Sequence, residues 1–128
     1  MTLESSIALL EKPIEDVFNQ LSKASTYERL MPEEASFRIT DEEHFSFKLG
    51  GMPAISLKLA RITPMSQIVL AADGGSVPFE LSANFSESSG KTQVQLVFEG
   101  KINPMMQMMV KKPLTQFLES LIGNLPKL

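Results

Sequence analysis

Residues 79–99 read FELSANFSESSGKTQVQLVFE. Phe79, Leu81, Ala83 and Phe85 alternate with Glu80, Ser82, Asn84 and Ser86. After the turn Ser88-Ser89-Gly90, Val94, Leu96 and Phe98 alternate with Gln93, Gln95 and Glu99. A period of two puts one set of side chains on each face of a strand, so this stretch predicts a hairpin with one apolar face.

The same pattern extends backwards to residue 34. Phe37 and Ile39 alternate before the polar turn Asp41-Glu42-Glu43. Phe45, Phe47 and Leu49 alternate with His44, Ser46 and Lys48, and Ile55, Leu57 and Leu59 alternate with Ser56, Lys58 and Ala60. Ile68, Leu70 and Ala72 follow the turn at Thr63-Pro64. Strands with one apolar face and short connections belong to antiparallel sheets. At the N-terminus, Leu3, Ile7 and Leu9 suggest a further half-buried strand over residues 2–10.

Such a sheet needs a cover. Asn103-Pro104 pairs a good helix-capping residue with proline at the first helical position. The apolar residues from Met105 to Leu125 then give a broad helical face, and Gly123-Asn124 offers a stop. A helix of about twenty residues reaches roughly 30 Å, the length of a small domain. Two shorter helices are expected after the first strand. One opens at Pro13, with Glu15 and Asp16 favouring its positive end and Ile14, Val17, Phe18 and Leu21 forming its stripe. The second runs through Tyr27, Leu30 and Met31, with Ser25 and Glu28 at capping-box spacing and Pro32 as its end. The fold class is α+β, a curved antiparallel sheet of about six to seven strands gripping a long C-terminal helix. Residues 1–128 read as a single domain, since no repeat, linker or low-complexity tail interrupts them.

The order of elements, with KPIEDVFNQLSKASTYERLMP after the first strand, resembles the helix-grip superfamily. This is the SRPBCC group of START lipid-transfer domains, pollen-allergen proteins and polyketide cyclases. Pro13, Val17, Phe18, Leu21, Tyr27, Pro32 and Asn103-Pro104 carry the resemblance, which covers the whole chain. It implies a cavity between sheet and last helix, used by many members for lipids, sterols or polycyclic compounds and by a minority for cyclisation or hydrolysis. The fold alone does not choose between these.

Composition narrows the chemistry. The chain has 128 residues, 12 basic and 15 acidic side chains, a net charge of −3 and no cysteine. Disulfides and thiolate catalysis are excluded, and the charge argues against a nucleic-acid surface. No basic region precedes an apolar stretch at the N-terminus, and no apolar run reaches the ~20 residues of a membrane helix. A soluble, cytoplasmic protein without stable membrane insertion is expected. His44 is the only histidine and sits on the polar phase of its strand. No nucleophile–base pair, metal-ligand cluster or phosphate loop stands out, so no catalytic residue, metal or cofactor is expected.

The expected function is non-catalytic binding or transport of an apolar small molecule or lipid. Its contacts would come from Phe47, Leu57, Leu81, Phe85, Leu96, Phe98, Met106, Met109, Val110 and Phe117. Arg61 continues the phase of Ile55, Leu57 and Leu59, where it would anchor an acidic head group at the cavity mouth. An ordinary strand-end arginine that snorkels outward is the plainer reading. Met105, Met106, Met108 and Met109 crowd one turn, beside Lys111 and Lys112 and just before Pro113. Methionine suits adaptable apolar surfaces. The turn reads as a lining or gate, as a dimer or membrane contact, or as gap-filling core. The glycine loops at 50–53 and 73–78 would flank the entrance or simply serve hairpin geometry. Two competing readings remain. A cyclase- or hydrolase-like enzyme would need Arg61, Tyr27, His44 or Glu80 inside the cavity. An interaction module, including a homodimer, would use the Met-rich helix as its surface.

Overall fold

The computed structural model describes residues 1–49, 54–74 and 78–128. The glycine loops are therefore only partly covered, and residues 50–53 and 75–77 lie outside the described residues. The elements in chain order are β1 (Thr2–Glu4), β2 (Ala8–Leu10), α1 (Ile14–Leu21), a 3₁₀ helix (Ala24–Leu30), β3 (Ala35–Asp41), β4 (His44–Leu49), β5 (Ile55–Thr63), β6 (Gln67–Ala72), β7 (Phe79–Ser88), β8 (Lys91–Gly100) and α2 (Pro104–Asn124). A short 3₁₀ turn, Leu125–Lys127, follows.

All strands join one antiparallel sheet in the order β1-β8-β7-β6-β5-β4-β3, with β2 also paired to β8. The long hairpin of β7 and β8 is the spine of this sheet. It matches Leu81 with Phe98, Ala83 with Leu96 and Phe85 with Val94, so their side chains share the inner face. The helices cover that face, as the alternation requires.

The N-terminal strand is broken in two, which corrects the phase read from Leu3, Ile7 and Leu9. Leu3 pairs with Phe98, whereas Ala8 pairs with Val94. One extra residue is thus taken up between β1 and β2, and an extra residue turns every later side chain to the other face. Ala8 and Leu10 face the core, while Ile7 and Leu9 are 60% and 53% exposed. The buried Ser5 holds the break together. Its N–H donates to the Leu96 carbonyl, its Oγ accepts from the Leu96 N–H, and its carbonyl accepts from Gln95 Nε2, each at 2.9 Å.

α1 buries Val17, Phe18 and Leu21 as its stripe predicts, with Pro13 at its cap position. The next helix forms as a 3₁₀ segment rather than behind a capping box. Lys23 is its cap residue, and Ser25 makes no capping hydrogen bond. Tyr27 and Leu30 are buried within it, and the Tyr27 hydroxyl donates to the Leu21 carbonyl at 2.7 Å.

α2 starts as expected, with Asn103 Oδ1 accepting from the Met106 N–H at 2.8 Å. Its buried residues are Phe117, Leu118, Leu121 and Ile122, all beyond Pro113. Two polar ties fix this half. Ser6 donates its hydroxyl (2.6 Å) and its N–H (2.8 Å) to the Glu119 carboxylate, bonds that lower the Glu119 pKa. Asn124 Nδ2 donates to the Leu30 carbonyl at 2.9 Å. Among the described residues no helix is long and apolar enough to cross a membrane.

Candidate functional site: an apolar cavity beneath the last helix

The inner face of the sheet is divided along its strands. At one end Phe85 meets Phe18 of α1 edge-to-face, with centroids 5.3 Å apart. Further along, Ala83 and Leu96 border only a small void of about 20 Å³ against Tyr27, Leu121 and neighbours. The other end lies under the first half of α2. There a cavity of about 240 Å³ opens partly to the outside.

Phe47 of β4, Ile55 and Leu57 of β5, Phe79 and Leu81 of β7, and Phe98 of β8 form its sheet wall. Met106, Val110, Leu114, Phe117 and Leu118 of α2 form its roof, with Ala54 and Ile102 at the margins. Every lining residue among those described is apolar, and none of them is titratable. Two aromatic pairs shape the walls. Phe47 stacks on Phe117 at 4.7 Å, and Phe79 stacks on Phe98 at 5.3 Å.

The cavity lies largely beneath the part of α2 that precedes its buried residues, all of which come after Pro113. Proline cannot donate to the carbonyl four residues earlier, that of Met109, which weakens the helical ladder at this point. Before it, Met105, Met106, Met108 and Met109 are 76%, 40%, 87% and 69% exposed. Met106 alone of the four reaches the cavity.

Seven of the residues expected at the site therefore meet around one space: Phe47, Leu57, Leu81, Phe98, Met106, Val110 and Phe117. Four do not. Phe85 is held against α1, Leu96 borders the small void, and Met109 points outward. Arg61 is the most instructive. Leu59 pairs with Leu70, but Arg61 pairs with Val69, so a bulge inserts one residue between them. The inserted residue flips the strand's phase and turns Arg61 to the outer face. There its guanidinium lies 3.3 Å from the Glu80 carboxylate, with both side chains substantially exposed. Ile55, Phe79, Leu114 and Leu118 were missed. The first two carry the inward phase in the sequence, but their place at the cavity depends on which half of α2 lies over them.

The other polar candidates also lie elsewhere. His44 Nδ1 and Asp41 Oδ1 are 2.8 Å apart on the open surface. This hydrogen bond raises the histidine pKa and lowers the aspartate pKa. Burial pushes the Tyr27 hydroxyl well above the usual phenol range, so it stays a neutral donor to Leu21. Among the described residues no group of His, Asp or Glu could hold a metal ion.

This geometry defines an α+β protein with an open antiparallel sheet, a C-terminal helix and an apolar space between them. The same fold occurs in solved structures. A Mycobacterium smegmatis protein superposes with a TM-score of 0.75 at 10% identity, covering 98% of this chain and 88% of its own. A Nitrosomonas europaea protein gives 0.75 at 10% identity, over 99% and 92%. A Staphylococcus epidermidis protein gives 0.73 at 17% identity, over 98% and 87%. At these identities the likeness is one of fold. No family model and no curated protein matches the chain.

Proposed function

We propose that the chain is a helix-grip protein that binds or carries an apolar small molecule or lipid between its sheet and the first half of α2, without catalysing a reaction. One observation carries this reading: a space of about 240 Å³ whose walls, among the described residues, are all apolar side chains. Apolar cavities of about 150 Å³ stay dry and take up benzene. Sites for drug-sized ligands span roughly 300–1,000 Å³. The best-fitting ligand is a small ring system or one segment of a lipid tail. Met106, at the rim, is flexible enough to adapt to it.

An enzyme of the cyclase or hydrolase type would need convergent polar groups beside its substrate. Tyr27, His44, Arg61 and Glu80 have partners outside the cavity, which favours the binding reading. A cytoplasmic carrier fits the lack of cysteine.

The test is a titration with N-phenyl-1-naphthylamine, an uncharged dye that brightens in apolar surroundings. Wild type should bind it saturably. Val110→Phe and Leu114→Phe, which fill the cavity from the helix side, should abolish the signal while the protein stays folded. Equal dye binding by wild type and both variants would overturn the assignment.

A further inference from the structure

The first half of α2 carries two apolar stripes on opposite faces. Met106, Val110, Leu114 and Phe117 follow one another at four, four and three residues and roof the cavity. Met105, Met108 and Met109, with Lys112 next in line, repeat at three and four residues on the other face. These three methionines are the most exposed large apolar residues among those described. A helix this apolar on both faces normally lies buried. Here the outer stripe covers nothing among the described residues.

Charge says what would cover it. From Gly100 to Leu118 there are three lysines and no acidic residue, in a chain whose net charge is −3. Lys111 and Lys112 follow the last methionine with one residue between and form no ion pair among the described residues. An apolar stripe edged with lysine matches an anionic bilayer: thioethers enter the acyl boundary while ammonium groups meet phosphates. A second copy of the chain fits less well. A two-fold contact between copies of this segment would offer its lysines no acidic partner, since residues 100–118 contain none.

We propose that residues 105–112 of α2 are a peripheral docking surface for anionic phospholipid membranes, and that the cavity fills and empties there. The second half of this statement rests on the carrier reading above. The stripe that would touch lipid and the stripe that roofs the cavity share the same turns, so a docked molecule holds its cavity rim, at Met106, beside the bilayer. Docking is superficial, since the segment is short and no helix among the described residues can span a membrane.

Co-sedimentation of the full chain with vesicles tests this. Wild type should pellet with phosphatidylcholine vesicles containing phosphatidylglycerol, much less with phosphatidylcholine alone, and less as salt rises. A lysine near an anionic surface contributes about 1 kcal/mol, so Lys111→Ala with Lys112→Ala should weaken binding roughly thirty-fold. Met105→Glu, Met108→Glu and Met109→Glu together should abolish it. Both variants should keep their circular dichroism and still take up N-phenyl-1-naphthylamine without vesicles, since none of the altered residues lines the cavity. Wild type that ignores anionic vesicles overturns the proposal, as do variants that pellet like wild type. A dimer in light scattering that the glutamate variant converts to monomer overturns it in favour of a second copy. Vesicle binding without dye uptake would leave the docking surface standing and remove the carrier reading.

Discussion

The Phe47 and Phe117 rings stack with centroids 4.7 Å apart and planes 12° from parallel, joining β4 to α2 on the cavity wall. Phe117 is buried and sits four residues beyond Pro113, where α2 begins to bury its side chains. The pair marks the passage from packed core to open cavity. Phe117→Ala should remove this wall, enlarge the space and destabilise the protein by about 3–5 kcal/mol. Urea unfolding measures the loss. A cost below about 1 kcal/mol would mean that the helix is not anchored there.

Arg61 should have no part in ligand binding. It lies on the outer face, paired with Glu80 across two exposed side chains. Exposed pairs contribute roughly 0–1 kcal/mol. Arg61→Ala should therefore change stability by less than that and leave dye affinity unaltered. A large fall in affinity for an acidic apolar ligand would return Arg61 to the site.

The Asp41–His44 pair should give the surface a small pH response. The histidine pKa is raised, so its contribution to stability is full below its ordinary value and is lost as pH rises through the folded value. The aspartate pKa is lowered, so its contribution is present above its ordinary value and is lost as pH falls through the folded one. One interaction underlies both, and it is fully present between about pH 4 and pH 6.5. NMR titration of His44 should show the raised pKa, and Asp41→Asn should bring it down. Dye uptake should not follow this titration, because the pair lies away from the cavity.

Ser5 should matter more than its size suggests. Its buried hydroxyl accepts the Leu96 N–H and donates to the Ser6 carbonyl at 2.7 Å. Ser5→Ala would leave a buried N–H without its partner, at a cost of about 1–3 kcal/mol. Hydrogen exchange at the Leu96 amide should speed up selectively. Unchanged exchange there would show that the break between β1 and β2 is held by other contacts.

Most of the fold was legible because alternation is a property of the strands themselves. The hairpin of β7 and β8, the cap at Asn103 and the stripe of α1 all follow from local spacing. The misread strand phases share one cause. Period-two reading holds only while no residue is inserted, and single insertions between β1 and β2 and between Leu59 and Arg61 each reversed a phase. Ile7, Leu9 and Arg61 were misplaced for that reason. The site was half legible. An inward phase says that Phe85 and Leu81 face the helices. It does not say that α1 fills the space over Phe85 while α2 leaves it open over Leu81. The Met turn was visible at once, but its division into one cavity-lining residue and three outward ones needed the helix in place.

Native mass spectrometry of the purified chain, followed by organic extraction, tests the central claim most directly. The account predicts adducts of apolar molecules that organic solvent releases and that Val110→Phe does not carry. A chain that runs only at its bare mass, and stays bare after incubation with lipid extract, would contradict it.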